Sequence, residues 1–201
     1  MSFQLDEEIG GLLAVDLDET LVEVNTFPLL VRRLPRALLV ARRFDGLSQW
    51  VVSVVRRKVM RGSHGDFKAE ICRLSEIADP STLDRWARNV LAESGDPRIV
   101  SIVGDWDGTR LLTSAAPEFI VSRFADLVGF HLAHGSRHHA GSFVDNVHDA
   151  KVIRIDEEGL PRPSVALSDE PDLDRPLLRA ADRAFLVDRE RRLIPYHSAD
   201  E

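Results

Sequence analysis

Cysteine is nearly absent: Cys72 is the one thiol in 201 residues, so no internal disulfide can form and a reducing compartment is expected. Long apolar runs are missing too, and nothing approaches the roughly eighteen uninterrupted apolar residues of a membrane-spanning helix. Met1 to Glu8 is acidic, without a basic cluster ahead of an apolar run, so no secretory signal is visible and a cytoplasmic protein is expected. Internal repeats and low-complexity tracts are also lacking. What remains, 44% hydrophobic and 29% charged residues, describes a globular chain. Its length allows one core domain with a modest insertion, or two small domains.

The net charge of −7 is unevenly distributed. From Val31 to Arg61 nine basic residues stand against Asp45 alone, a local +8, so the rest of the chain carries −15. This stretch has three readings. Its arginines are solvated helix faces with snorkelling side chains, or a lid that attracts anionic substrates, or basic amphipathic helices resting on an anionic membrane surface. Aromatic stacking residues are scarce there, so no nucleic-acid partner is expected.

Leu12 to Val15 are four apolar residues in a row, the pattern of a strand buried on both faces of a parallel sheet. Beyond Val24 the pattern becomes helical. Thr26 is a plausible N-cap with Pro28 in the first turn. Pro35 is expected to break or restart that helix, and Asp45-Gly46 to form a turn. Leu47, Trp50, Val51, Val54 and Val55 recur at helical spacing, Arg61–Gly65 reads as a loop, and further helices are expected near 66–77 and 81–93. From Gly95 onward strands alternate with helices: strands at 110–113, 130–134, 165–167 and 184–187, a further one expected at 193–196, and helices at 118–127, 149–157 and 173–181. Alternation implies right-handed crossovers and a parallel sheet. The expected architecture is a Rossmann-like α/β core, residues 1–23 and 95–201, with an all-α cap inserted at 24–94.

The chemistry lies at the strand ends. The first strand stops on Asp16 and Asp18, one residue apart. Carboxylates so close repel each other unless a cation or a reacting group lies between them. The second ends on Thr113-Ser114, ahead of the helix that follows Pro117. A hydroxyl there binds a phosphate oxygen together with free backbone N–H groups, or simply caps the helix. Lys151 opens a later helix. The strand Val165-Ala166-Leu167 again ends on acids, in Ser168-Asp169-Glu170-Pro171-Asp172-Leu173-Asp174.

These four stretches, in this order, resemble the four motifs of the haloacid dehalogenase (HAD) superfamily. The cap after the first motif is the arrangement of its phosphoserine-phosphatase-like branch. The resemblance covers Ile9–Val22 and about Gly95–Val187, and it implies a Mg²⁺-dependent phosphatase acting on a small phosphorylated substrate. Asp16 would be the nucleophile that forms an aspartyl-phosphate, and Asp18 the general acid and then base. Ser114, with Thr113 as fallback, would hold the phosphate, and Lys151, with Arg154 behind it, would neutralise the transferring group. Asp16, the backbone carbonyl of Asp18 and Asp169 would bind Mg²⁺, with Asp174 or Asp172 as the second acid of the fourth motif. Thr20 and Asn25 complete the expected substrate contacts. Two departures argue against phosphoserine itself. Asn25 stands where that branch has a Glu for the substrate amine, and Ala115-Ala116 stand where it has Gly-Gly. The motifs do not separate hydrolysis from phosphotransfer, and a non-catalytic binding protein that uses the basic cap is the alternative of another class.

Other features have plainer readings. Asp105-Trp106-Asp107-Gly108-Thr109 mimics the first motif, but an apolar segment follows at once, leaving no room for a crossover, so it reads as a helix end and turn. His131, His134, His138, His139 and His148 are crowded, yet no Cys or spaced acid completes a zinc set, so polar loop positions are expected. Cys72, Trp50 and Trp86 read as packing residues.

Overall fold

A computed structural model describes residues 10–59 and 63–197. The acidic start, Arg61 of the basic stretch and the beginning of the Arg61–Gly65 loop lie outside the described residues. Among these, seven strands form one sheet: β1 (Leu12–Val15), β2 (Thr109–Pro117), β3 (Leu132–His139), β4 (Ser142–Val144), β5 (Pro163–Ser168), β6 (Arg183–Val187) and β7 (Leu193–Pro195). Their order is β4-β3-β2-β1-β5-β6-β7, with the five central strands parallel and the two edges antiparallel. The chain leaves β1 towards β2 and β3 and then returns to β5 and β6 on the other side. The β1/β5 boundary is therefore the switch point of the sheet, where open α/β folds place their ligands.

The apolar run of β1 is explained by two covered faces. Leu13 and Val15 belong to one buried cluster, and Leu12 and Ala14 to a second. The second cluster is closed by Ile155 of α7 (Asp149–Glu157) and by Leu177 and Leu178 of α8 (Arg175–Ala180). Between β1 and β2 come α1 (Thr26–Val40), α2 (Phe44–Val59), α3 (His64–Glu76), α4 (Pro80–Ser94) and α5 (Pro97–Asp105), and α6 (Glu118–Val128) follows β2. Leu30, Leu34, Leu74 and Trp86 of the inserted helices share the first cluster with Leu13, Val15 and Phe124 of α6. Insertion and sheet thus have one continuous core on this face. The ends of the insertion are stapled together, with Glu23 N donating to Ser94 O (2.7 Å) and Asp96 N to Leu21 O (2.9 Å).

Several local expectations are corrected. The N-cap of α1 is Asn25, whose side chain accepts from Phe27 N, and Thr26 is the first helical residue. Pro35 lies inside α1 without breaking it. A proline removes the bond to the carbonyl four residues back, here Val31, and the Trp50 indole N–H takes that carbonyl at 3.1 Å. Asp45-Gly46 is not a turn but the start of α2. Gly46 lets α2 approach its neighbours: a Cβ there would meet Leu38 Cδ2 at 3.0 Å and Ile77 Cδ1 at 3.2 Å. The turn falls instead at Arg42, in the left-handed region with φ 57°. Trp50 packs inward, whereas Val51 and Val55 face solvent. The sequence pattern did not reveal β4, which pairs with an extended β3 through the positive-φ turn at Ala140-Gly141.

Candidate active site

The carboxyl ends of β1, β2 and β5 converge on a cleft of about 160 Å³ lined by Asp16, Asp18, Asn25, Ser114, Lys151, Asp169 and Asp174, among others. Asp16 continues the β1 ladder, its N–H donating to Leu167 O at 2.9 Å, so its side chain is set by the sheet. Lys151, 2% exposed, comes from the first turn of α7 and donates to Asp16 Oδ1 at 2.7 Å. The same ammonium lies 2.7 Å from Asp174 Oδ1 and 2.8 Å from Asp174 Oδ2. Burial pulls the Lys151 pKa down, but the Asp16 and Asp174 charges outweigh it and hold it above the ordinary value. Asp16 is pushed well above the usual carboxylate range by burial, with Asp174 and Asp18 adding repulsion against the pull of Lys151.

Asp172 and Asp174 are now distinguished. Asp172 is exposed and pairs with Arg175, whereas Asp174 is buried against Lys151. Ser168 supports this arrangement. Its hydroxyl donates to Asp174 Oδ2 at 2.7 Å and accepts from Glu170 N at 3.1 Å. The two oxygens of Asp174 are turned to Lys151 and Ser168, so Asp174 holds the lysine.

Asp18 sits at the N-terminus of α1, where Thr26 N donates to its Oδ1 at 2.7 Å. Burial raises its pKa against this bond. Asp169 is pushed up to about 6 by burial, opposed by the Thr20 hydroxyl that donates to its Oδ1 at 3.1 Å. Thr20 therefore stands behind Asp169, where it orients the acid, and does not line the cleft as a substrate contact. Ser114 lines the cleft, with its hydroxyl accepting from Ala116 N at 3.1 Å. The Thr113 hydroxyl is buried and accepts from Asn146 Nδ2 at 3.1 Å. Of these two residues, Ser114 lines the cleft and Thr113 does not. Arg154 is directed away, onto Glu118 and Glu158.

Among the described residues no three His, Cys, Asp or Glu side chains converge as a ready metal-ligand set. The chemistry of the lining nonetheless fits a hard cation. Asp16, Asp18, Glu19, Asp169, Glu170 and Asp174 face one cleft with Lys151 as their counter-charge. Burial raises the pKa values of Asp16, Asp18 and Asp169, and a cation bound among them would favour their charged forms.

Two supporting residues had no signal in the sequence. Asn146 donates to Thr113 Oγ1, Ser114 O and His134 O, tying the ends of β2 and β3 together. Arg191, in the β6–β7 turn, donates to Glu19 O and to Thr20 O, and binds Asp96 Oδ2 at 3.0 Å. It thereby clamps the turn that carries Asp18.

The look-alike at Asp105–Thr109 lies at the opposite end of the sheet. Gly108 abuts Gly11, ahead of β1, and Trp106 Nε1 donates to Gly11 O at 3.1 Å. The histidines are dispersed. His131 accepts from Arg110 N, His138 contacts Ala69 O, and His134, buried within β3 and not in a loop, pairs with Glu158 at 2.9 Å. Burial pushes the Cys72 thiol up to about 12, as suits a packing residue.

No family model matches this chain, and no curated protein matches it. Solved structures do share its fold. A protein of unknown function from Bordetella pertussis Tohama I is similar with a TM-score of 0.58 and 18% identity, over 88% of this chain and 89% of that one. A phosphoserine phosphohydrolase-like protein from Francisella tularensis has a TM-score of 0.51 and 16% identity, over 88% and 86%. A probable phosphoserine phosphatase from Vibrio cholerae has a TM-score of 0.51 and 10% identity, over 86% of this chain and 55% of that one. At these identities the likeness establishes the fold, an α/β sheet with helices inserted after the first strand.

Proposed function

We propose that the chain is a Mg²⁺-dependent phosphatase that hydrolyses a small phosphomonoester through an aspartyl-phosphate on Asp16. One observation carries the reading: at the switch point of the sheet a buried carboxylate, Asp16, is held by Lys151, beside a second buried acid, Asp18. In the first step an Asp16 carboxylate oxygen bonds to phosphorus and the bond to the leaving oxygen breaks, while Asp18 gives that oxygen a proton. In the second, Asp18 takes a proton from the water that attacks phosphorus, and Asp16 is released with inorganic phosphate. Burial raises the pKa of Asp18, the direction that favours a carboxyl group carrying the first proton. Lys151 and Ser114 balance charge on the phosphoryl oxygens. Asp16, Asp169 and the Asp18 carbonyl would hold Mg²⁺, which when bound supplies further positive charge at the phosphoryl group.

The cleft argues about the leaving group as well. Asn25, Ser114, Ala115, Val147 and Leu173 are its uncharged lining, and the charges there are acidic apart from Lys151. A substrate carboxylate would meet Glu19 and Glu170, and the cation of the lining, Lys151, is already held by Asp16 and Asp174. The substrate class favoured is a phosphomonoester without an amino-acid head, a lipid or sugar phosphate. The test is phosphate release from an aryl phosphate by the wild type and by Asp16→Asn, with and without Mg²⁺. Release that requires both supports the reading, and release by Asp16→Asn at the wild-type rate refutes it.

A further inference from the structure

The inserted helices carry apolar side chains on the outside. In α2, Phe44 (65% exposed), Val51 (46%), Val52 (63%), Val55 (48%) and Val59 (73%) face solvent. At 3.6 residues per turn these positions fall within an arc of about 100°. Gly46, buried, and Trp50, packed against the core, lie on the opposite side. Leu39 and Val40 extend the patch at the end of α1. Its borders are mainly basic: Arg56 follows the stripe on one flank, Lys58 on the other, and Arg42 precedes it, while Asp45 on the Arg56 flank is paired with Arg43.

Monomeric proteins seldom leave so continuous an apolar surface uncovered, and the charge around it selects what covers it. Residues 31–59 hold eight basic side chains against Asp45, in a chain whose net charge is −7. A second copy meeting this face symmetrically would set one basic rim against another. A nucleic acid would match the arginines but leave the valines in water. A surface of anionic headgroups over hydrocarbon satisfies both, as it does for helices that lie in the membrane interface.

We propose that α2, with the end of α1, docks the protein on an anionic lipid bilayer. The Phe44–Val59 stripe enters the headgroup boundary, and Arg42, Arg56 and Lys58 face lipid phosphates. The surface is separate from the cleft. The first turn of α1 holds Asp18 and its last turn begins the patch, about 20 Å away at 1.5 Å per residue. Docking and turnover are therefore separable.

The test is co-sedimentation of the full chain with vesicles of equimolar phosphatidylglycerol and phosphatidylcholine, beside vesicles of phosphatidylcholine alone. Binding to the anionic vesicles only, weakened by salt, is the expected result. The double variant Val52→Glu/Val55→Glu, folded by circular dichroism, should lose it, and Arg56→Gln/Lys58→Gln should bind roughly fivefold more weakly for each charge removed. Hydrolysis of a soluble aryl phosphate by these variants should match the wild type. The proposal is overturned if the wild type does not bind anionic vesicles, or if Val52→Glu/Val55→Glu binds them equally well. It is equally overturned if sedimentation velocity shows a dimer that the double variant abolishes, which would assign the patch to a second copy. Since phosphate release is read separately, failure of docking is distinct from failure of the phosphatase reading.

Discussion

Lys151 is the residue on which the site depends electrostatically. Its ammonium lies within 2.8 Å of two buried carboxylates, Asp16 and Asp174, and burial raises the penalty for leaving either one unpaired. Replacing Lys151 by Met should destabilise the protein by about 3–5 kcal/mol at neutral pH, the usual consequence of removing one partner from a buried ion pair. Urea unfolding monitored by circular dichroism measures this. The deficit should narrow on acidification. Without the lysine, the folded state raises the carboxylate pKa values above those of the unfolded chain, so it binds more protons than the unfolded chain and gains stability as pH falls. A deficit that is small or independent of pH between 7 and 5 would mean that Lys151 is not the counter-charge of this pair. Strand-end acids and hydroxyls, together with the resemblance of four stretches to a family's motifs, were enough to nominate Asp16, Asp18, Ser114, Lys151 and Asp169, and all of them line one cleft. The choice of Asp174 over Asp172 required the fold, because both follow β5 in an equally acidic context and only the direction of the chain into α8 buries one of them.

At the scale of elements, α1 shows how a local rule is overridden. Pro35 deprives the Val31 carbonyl of its helical partner, and the indole of Trp50, fifteen residues further on, supplies a replacement at 3.1 Å. The pair predicts non-additivity. Trp50→Phe should cost about 1–2 kcal/mol by stranding a half-buried carbonyl. The same substitution with Pro35→Ala should cost less, since the helix then restores its own bond. Thermal or urea denaturation of the two singles and the double gives the coupling, and strict additivity would show that the indole does not serve that carbonyl. The hydrophobic spacing of α2 was legible as a helix but not its orientation. Both Trp50 and Val51 belong to the apolar pattern, and it is Gly46, packed against Leu38 and Ile77, that determines which of them points inward.

For the whole molecule, one apolar cluster runs from the inserted helices to the sheet, joined among others by Trp86 against Phe124 at 6.1 Å between ring centroids. Elements that share a core unfold together. The chain should therefore lose its helical ellipticity and the fluorescence of Trp50, Trp86 and Trp106 in a single coincident urea transition. Two separated transitions would show that the insertion holds its structure independently of the sheet.

The alternation of strands and helices, the all-helical insertion and the placement of acids at strand ends were readable from the chain alone. Those signals act over a few residues: an apolar run, a helical period, a cap, a carboxylate where a strand stops. The tertiary structure alone decided that the Asp105–Thr109 look-alike lies at the far end of the sheet, that Thr20 stands behind Asp169, and that Asn146 and Arg191 brace the cleft. It also turned the valines of α2 outward. The physical reason is range. Lys151 and Asp16 are 135 positions apart, and Arg191 and Thr20 are 171 apart. Such partners are chosen by the crossovers that bring strand ends together, and local sequence carries no record of that choice.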